Sequence, residues 1–456
     1  MKSRWVIVVI ACLAALAFAL AHPAARGRLG AAFTSPEIAQ RAESGRARFN
    51  GRVLEDDKGP FLGLGASLFW GVWGYDHDRA RLIQHFDALR PRGFDFVRVL
   101  GAVAGPSWND RAADPRQAGY DSTIAGLTDL AFQHGLRIAW SIFGDTVAAQ
   151  DASMRLALVD RFARMTKGRE HKILFIEIAN EGWQNGFGAR LSELQELARR
   201  LKSQTPVLVS VTAPQPPLRC GAAVTSIYAP GAADFITLHF DRNIGAADGR
   251  WGPVRQPLMW PSLFVSCRDN LPVAAANWEP IGPQSSVASE EDPLHLVTAA
   301  VVTYTAGLPI YVLHTGPGVR GGGRADRALR RAASLTELPR AEELLRAFAT
   351  MKQYLPRDLA GWSRFDATRP DAPVQIQMRK GGLKPVDIAA ARRGNQFVVV
   401  PFGIRDRLDL QVSLPVGIEV IHPVTGARLV QRTLASSGRV ELPAEPAALV
   451  IIGRAP

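Results

Sequence analysis

Residues 172 to 185 read Lys172-Ile-Leu-Phe-Ile-Glu-Ile-Ala-Asn-Glu-Gly-Trp-Gln-Asn185, a hydrophobic run that ends in polar side chains. The apolar part, rich in β-branched residues, is typical of a strand that is buried on both faces. Asn180 and Glu181 follow where this strand ends. The carboxyl ends of the strands carry the active site in a parallel α/β barrel, so its position makes Glu181 a catalytic candidate. Glu177 lies earlier in the same strand, and we interpret it as a structural residue.

Strand-like runs of the same kind recur on both sides of this stretch, with helical spacing between most of them. They occupy residues 61–68, 94–100, 136–143, 173–179, 206–211, 235–240, 271–276 and 310–313. Strands that alternate with helices in this way predict an α/β fold, a closed (β/α)8 or TIM barrel, over residues 61–360. Residues 213–220 are rich in proline, so we expect an irregular loop instead of a helix between the fifth and sixth strands.

The amino terminus has the pattern of an export signal. Lys2 and Arg4 precede an apolar run that ends in small residues at Ala21, which predicts a signal peptide over residues 1–21. The alternative is an uncleaved anchor, since the run approaches the roughly 20 residues that span a bilayer. We therefore expect a periplasmic or extracellular protein, in contact with a membrane only if this segment is retained. Residues 22–60 are interpreted as a linker or an N-terminal cap.

The cysteines and the net charge of the chain each allow two interpretations. Removal of residues 1–21 leaves Cys220 and Cys267, which either form a disulfide or remain unrelated thiols. The formal charge of +12 is spread over many arginines. This favours an anionic polymer or acidic surroundings over a specific nucleic-acid site, for which no motif is present. Solvated surface arginines are the alternative explanation.

The pattern changes after residue 361. Short alternating runs, separated by turn-forming residues, continue to the end of the chain. They predict a small antiparallel β-sandwich over residues 361–456. We expect it to brace the barrel, with carbohydrate binding as the alternative.

Two glutamates are expected to meet across the mouth of the barrel. Glu181 ends the fourth strand, and Glu279 follows the seventh within Asn277-Trp-Glu-Pro-Ile-Gly-Pro283. These strands lie on opposite sides of an eight-stranded barrel. Pairs of carboxyl groups that converge on one bond are the usual apparatus for cutting glycosidic linkages. No zinc-type cysteine spacing or His-Glu-x-x-His motif is present, and we expect neither a metal nor a cofactor.

These residues give the barrel a resemblance to the clan A glycoside hydrolases, which are retaining (β/α)8 enzymes. The resemblance implies that Arg98, in Val97-Arg98-Val99, steadies the nucleophile Glu279. It implies that Asn180 binds the sugar and that Glu181 is the acid/base. It also implies that His239, in Thr237-Leu-His239-Phe240, lies beside the nucleophile.

The seventh strand departs from the pattern of that family. Its nucleophile usually comes about five residues after a proline, and that spacing from Pro272 leads to Asn277. Either the strand end bulges and delivers Glu279, or the site has lost its nucleophile. Trp278-Glu279-Pro280 is a constrained turn, which favours the bulge.

Aromatic residues cluster at the predicted strand ends. Sugar faces pack on such rings, so we expect these side chains to bind a carbohydrate polymer or oligosaccharide: Trp70, Trp73, Trp108, Trp183 and Trp278. Burial in the core is the alternative for any one of them. His314, at the end of the eighth strand, either contacts the sugar or is a structural histidine.

The sequence therefore predicts a secreted retaining glycosidase that acts on a β-linked glycan through a glycosyl-enzyme intermediate. Retention requires the carboxyl groups to lie about 5–5.5 Å apart. The alternative is a barrel that binds glycan without cutting it.

Overall fold

A computed structural model of the chain describes residues 45–188, 190–215, 222–228, 231–244, 249–263, 271–378 and 382–455. The predicted signal peptide and both remaining cysteines, Cys220 and Cys267, lie outside these ranges. The described chain opens with a small antiparallel sheet of three strands, β1 (Arg48–Asn50), β2 (Val53–Asp56) and β3 (Gly59–Pro60). The part of the predicted linker or cap that is described therefore contains strands that we did not predict.

The barrel follows, and it confirms the predicted fold class. Its eight strands are β4 (Gly63–Ser67), β5 (Phe96–Ala102), β6 (Arg137–Phe143), β7 (Ile173–Ala179), β8 (Leu208–Ser210), β9 (Ile236–Leu238), β10 (Ala275–Asn277) and β11 (Ile310–Leu313). Neighbouring strands pair in parallel in the order β8-β7-β6-β5-β4-β11-β10-β9, which makes a nearly closed sheet. Because β4 pairs with β11, the beginning and the end of the barrel meet.

Helices cover the outside of the sheet. Their bounds are α1 (Gly71–His77), α2 (Arg79–Leu89), α3 (Tyr120–Gln133), α4 (Ala152–Thr166), α5 (Leu191–Lys202), α6 (Ala222–Ile227), α7 (Gly252–Leu263), α8 (Pro293–Thr305), α9 (Gly316–Arg320), α10 (Arg324–Ala328) and α11 (Ala341–Tyr354). Aspartates cap several of them. The side chains of Asp151 and Asp292, for example, accept hydrogen bonds from the first turns of α4 and α8, which satisfies amides that have no partner inside the helix.

The prediction that no helix joins the fifth and sixth strands was wrong. The short helix α6 lies in this connection. The prolines end at Pro217, and the residues of α6 contain none, so a helical turn can form after the proline-rich stretch.

Aromatic rings fill the amino-terminal half of the barrel interior. Phe175 packs against Phe235 with ring centroids 4.5 Å apart and against Trp278 at 4.6 Å. Phe49 of β1 continues this stack at 5.5 Å from Phe235. The sheet β1–β3 therefore closes the amino-terminal end of the barrel, and the opposite end is left open.

Antiparallel strands form the carboxy-terminal domain, as predicted. One sheet has the order β12-β14-β15-β20-β17-β18 and the other β13-β16-β19. Their bounds are β12 (Ser363–Arg364), β13 (Val374–Met378), β14 (Ile388–Arg393), β15 (Gln396–Pro401), β16 (Leu408–Val412), β17 (Val416–Ile421), β18 (Arg428–Leu434), β19 (Gly438–Leu442) and β20 (Val450–Arg454).

The larger of these two sheets is buried on both faces. Phe397 and Val399 of β15 face the core between the two sheets. Val398 and Val400, which alternate with them, belong to the same apolar cluster as the barrel. The barrel and the β-domain therefore share a continuous hydrophobic core. Within the part of the chain that is described, no helix is both long enough and apolar enough to cross a bilayer.

Candidate active site

Glu279 reaches the open mouth of the barrel because side-chain alternation breaks at the end of β10. Asn277 points outward, and its Nδ2 donates to Thr303 Oγ1 of α8 at 2.9 Å. Trp278 points into the barrel interior and is fully buried. Glu279 also turns inward, where its carboxylate accepts from Arg98. The structure therefore places Glu279 at the mouth and Asn277 against a helix.

Gly282 allows the loop after Glu279 to pack against the end of β11. A Cβ at this position would lie 1.9 Å from the carbonyl oxygen of His314, well inside van der Waals contact. Only glycine leaves room for so close a backbone approach. This contact brings His314 to the same side of the mouth as Glu279.

Arg98 of β5 holds several groups of the site together from below. Its Nη1 donates to Glu279 Oε1 at 2.7 Å, and its Nη2 donates to Asn180 Oδ1 at 2.6 Å and to Glu177 Oε2 at 3.1 Å. The guanidinium is fully buried and stacks over Trp278 at 4.4 Å. Burial beneath the carboxylates leaves Arg98 no path to a ligand, so it does not contact substrate. It positions Glu279, the role that the resemblance implied.

Glu177 is a structural residue, as interpreted from its place within the strand. Its Oε2 accepts from Ser141 Oγ at 2.6 Å and from Trp278 Nε1 at 2.9 Å, in addition to Arg98. It has no exposed surface. Its charge partly balances Arg98, which would otherwise be a buried cation with one carboxylate.

Glu181 stands opposite Glu279, with His239 between them. His239 Nδ1 lies 2.8 Å from Glu181 Oε1 and 3.6 Å from Glu279 Oε2. An oxygen of each glutamate and a ring nitrogen of His239 all lie within 4.8 Å of one another. Two carboxylate oxygens this close agree better with the roughly 5–5.5 Å between the carboxyl groups of retaining glycosidases than with the about 6.5–9.5 Å of inverting enzymes.

The backbone of Glu181 has an uncommon conformation. Its φ of 43° lies in the left-handed region, where residues with a Cβ are strained. Gly182 N donates to Thr212 Oγ1 at 2.8 Å, and Gln184 Nε2 donates to Glu181 Oε2. These contacts fix a turn that projects the carboxylate over the mouth.

Electrostatics keep Glu279 ionised. Burial by itself raises the pKa of Glu279, but the surrounding field of His239, His314, Arg98 and Arg242 outweighs it and lowers the pKa well below its usual range. Burial also lowers the pKa of His314 to about 3, so this ring is neutral at neutral pH. His239, Arg98 and Arg242 are then the remaining groups that lower the pKa of Glu279.

His314 lies close to Glu279 and is held in place by Ser67. Its Nε2 is 3.7 Å from Glu279 Oε2, and its Nδ1 is 2.9 Å from Ser67 Oγ. When the Ser67 hydroxyl donates to Nδ1, the ring proton resides on Nε2 and points toward the carboxylate. His314 also lines the cleft.

The donor types at this site also match those of metal centres. Glu181, His239 and Glu279 offer two carboxylates and an imidazole within 4.8 Å, a set that a divalent ion such as Zn²⁺ can use. An ion at this position would occupy the space between the two glutamates. The expectation that no metal is required stays a prediction.

The mouth opens into a cleft of about 420 Å³. Asn180, Glu181, His239, Glu279 and His314 line it. Four aromatic side chains also line it: Phe69 and Phe240, which are buried, and Trp108 and Trp183, which are half-buried and leave ring surface that a sugar face can cover.

Two of the five tryptophans that were predicted to bind sugar line the cleft. Trp108 and Trp183 line the cleft. Trp70 is fully buried, and its Nε1 donates to the Pro317 carbonyl at 2.9 Å. Trp278 is equally buried in the barrel interior. Trp73 stacks on His77 outside the cleft lining, with centroids 5.3 Å apart. Trp70 and Trp278 were therefore wrong as sugar-contacting residues, because their rings are fully buried in the core. Trp73 is half-buried, and its contact with a sugar stays a prediction.

Arg242 is a residue of the site that was not predicted from the sequence. Its Nη2 lies 3.6 Å from Glu279 Oε2, and its Nη1 donates to Ser285 Oγ at 3.3 Å. Arg242 follows shortly after His239 in the loop that leaves β9. The strand end already carried a predicted site histidine, and a basic residue so close to it could have been identified as a further site residue.

Comparisons with known proteins agree with this architecture. No protein family model matches the chain. No curated protein sequence matches it either. A crystal structure of a glycoside hydrolase family 5 protein from Bacteroides vulgatus aligns with a TM-score of 0.63 and 13% identity, covering 92% of this chain and 95% of that one. A second solved structure, described as a glycoside hydrolase, has a TM-score of 0.63 at 13% identity and covers 91% and 98% of the two chains. In fold, the chain is therefore similar to glycoside hydrolases built on a (β/α)8 barrel.

Proposed function

We propose that the protein is a retaining glycoside hydrolase that cleaves a β-linked polysaccharide or oligosaccharide. The observation that carries the proposal is that a carboxylate oxygen of Glu181 and one of Glu279 lie within 4.8 Å of each other across the barrel mouth. A buried, ionised carboxylate opposite a second carboxylate is the arrangement that the two-step mechanism needs.

Glu279 serves as the nucleophile. Its ionised oxygen attacks the anomeric carbon and forms a covalent glycosyl-enzyme ester while the bond to the leaving oxygen breaks. Glu181, more exposed than Glu279, gives its proton to that oxygen. In the second step Glu181 takes a proton from water, the water oxygen bonds to the anomeric carbon, and Glu279 is released.

The neighbouring residues support these roles. Arg98 and Arg242 stabilise the negative charge of Glu279. Asn180, fixed by Arg98, lines the cleft where a sugar hydroxyl would bind. Trp108 and Trp183 provide aromatic surfaces for further sugar units. We further propose that the protein is exported, on the basis of residues 1–21 alone.

Replacement of each glutamate by glutamine tests the proposal. We expect Glu279→Gln to abolish turnover of β-glucans or mannans, because an amide cannot act as the nucleophile. Glu181→Gln should lower kcat about 10²–10⁴-fold, the usual contribution of general acid/base catalysis. The matched control is Glu343→Gln, a change on the exposed face of α11, which should leave turnover unchanged. Turnover by the wild type and by the three variants is measured as the release of reducing ends.

Product analysis distinguishes the two roles. NMR of the first product should show the same anomeric configuration as the substrate. For Glu181→Ala with an activated aryl glycoside, added azide should yield a glycosyl azide of retained configuration, since azide needs no general base. Inversion in the first product, or turnover that survives both glutamine variants, would refute the mechanism. A wild-type protein that binds glycans but cleaves none would indicate the binding barrel instead.

A further inference from the structure

Arg242 offers unused hydrogen-bond donors inside the cleft. A guanidinium carries several N–H donors, and the hydrogen bond to Ser285 Oγ is the one that Arg242 makes with the described residues. Each of its side-chain nitrogens either has a hydrogen-bond partner or is accessible to solvent. Glu279 already takes its short contact from Arg98, at 2.7 Å against 3.6 Å for Arg242. Arg242 therefore keeps the capacity to bind a second anion.

A basic loop borders the same cleft. We use this name for residues 316–331, which include the short helices α9 and α10 and contain five arginines and one aspartate. Asp326 is buried and lies 4.0 Å from both Arg320 and Arg331, so its charge is engaged within the loop. Arg324 and Arg330 are exposed and form no ion pair with a described acidic group. The loop therefore presents an uncompensated positive charge to the solvent.

Contacts between the loop and the rim place that charge beside the cleft. Val319 of the loop lines the cleft directly. Arg111 stacks over Trp108, a cleft residue, at 5.0 Å, and Gly323 packs against the Arg111 guanidinium. The Arg324 amide donates to Asp110 Oδ2 at 2.5 Å. A polymer chain that leaves the cleft on this side passes over the basic loop.

We infer that the substrate is an acidic glycan whose sugar carboxylates are recognised by Arg242 within the cleft and by the basic loop outside it. The inference rests on the proposed function for the identity of the ligand as a glycan. Carboxylates suit guanidinium groups because they accept paired, charge-assisted hydrogen bonds. The tryptophans of the cleft would pack against the sugar faces of the same chain.

The test compares a polymer with its own uncharged form. The probe is a β-linked polysaccharide that contains glucuronate, together with the same polymer after chemical reduction of its carboxyl groups to alcohols. Binding is measured by affinity electrophoresis with the full-length Glu181→Gln variant, so that the polymer is not consumed. We expect about tenfold tighter binding of the acidic form, and a loss of this preference in added salt, since salt screens exposed charges.

Variants in the same background locate the preference. Arg242→Gln should reduce it to about threefold or less, and Arg242→Lys should retain part of it. The double change Arg324→Ser/Arg330→Ser should weaken binding of long chains but not of short oligosaccharides. The matched control, Arg405→Ser/Arg432→Ser, removes two exposed arginines of the β-domain and should leave the preference intact.

Several outcomes would overturn the inference. Equal affinity for the two forms of the polymer would show that the protein does not recognise the carboxylates. Equal weakening by the control pair would assign the preference to the overall charge of the protein. Binding of double-stranded DNA as tight as that of the acidic glycan would indicate a general affinity for polyanions. If the wild type prefers the acidic form but hydrolyses neither form, the inference stands and only the hydrolase proposal is refuted. If the wild type hydrolyses both forms at equal rates, the hydrolase proposal stands and the inference is refuted.

Discussion

At the scale of single residues, the site depends on how charge is distributed around two arginines. Arg98, itself fully buried, connects Glu177, Asn180 and Glu279 in one hydrogen-bond network. Arg242 approaches Glu279 from the side of the cleft. Breaking a buried ion pair leaves an uncompensated charge, so Arg98 is needed for stability as well as for the carboxylate. Arg242 is the better residue for testing electrostatics alone.

The first prediction at this scale concerns pH. The pKa of Glu279 is lowered, so its carboxylate stays ionised on the acid side of neutrality. Arg242→Gln removes a positive charge that favours the ionised form, so the pKa of Glu279 should rise. The acid limb of the kcat/KM profile, measured on an uncharged aryl glycoside, should move to higher pH. Arg242→Lys should move it less, and an unchanged limb in Arg242→Gln would show that Arg98 suffices.

At the scale of elements, the end of β10 determines which side chain enters the mouth. The hydrogen bond from Asn277 to Thr303 fastens the strand to α8. The alternation then breaks, and both Trp278 and Glu279 point inward. A strand with regular alternation would have turned Glu279 toward the helices, and the site would lack its second carboxylate.

Asn277→Ala tests this register. It should cost about 1 kcal/mol of unfolding free energy, the usual value of one hydrogen bond, because Thr303 Oγ1 still donates to the Ala299 carbonyl. Turnover should stay within a few-fold of the wild type, in contrast to Glu279→Gln. Urea denaturation and kcat are the measurements, and Thr303→Val provides the same deletion from the other partner. A loss of kcat as large as that of Glu279→Gln would mean that Asn277 faces the substrate.

At the scale of the whole molecule, the two ends of the barrel have separate tasks. The amino-terminal end is closed by β1–β3, where Asp56 and Arg137 form a buried ion pair at 3.1 Å. The opposite end carries the cleft. The β-domain packs on α8, which is buried along nearly its whole length, so it belongs to the hydrophobic core and is not a loosely attached module.

Asp56→Asn should therefore reduce stability without changing KM. It leaves Arg137 buried beside a neutral amide, and removal of one partner of a buried pair typically costs about 3–5 kcal/mol. The neighbouring Asp57, which pairs with the exposed Arg48, provides the matched control, and Asp57→Asn should have little effect on stability. Urea denaturation and KM are measured in parallel. A changed KM at full stability would show that the closed end communicates with the cleft.

Much of the fold could be predicted from local pattern. Strands β7 and β11 were predicted with their observed bounds, because buried parallel strands form continuous apolar runs. The three-stranded sheet β1–β3 was missed, since its strands are short and polar and are ordered by packing against the amino-terminal end of the barrel. Helix α6 was missed because neighbouring prolines obscured it.

The sequence by itself determined the order of the strands, the acids at their ends and hence the class of chemistry that such acids support. Only the tertiary structure decided that Glu279 enters the mouth, that Arg98 lies beneath it, that Arg242 faces the cleft, and that Trp70 and Trp278 are core residues. The physical reason is that spacing along the chain specifies an element and its periodicity. The direction of a side chain at a strand end depends on contacts with residues distant in sequence.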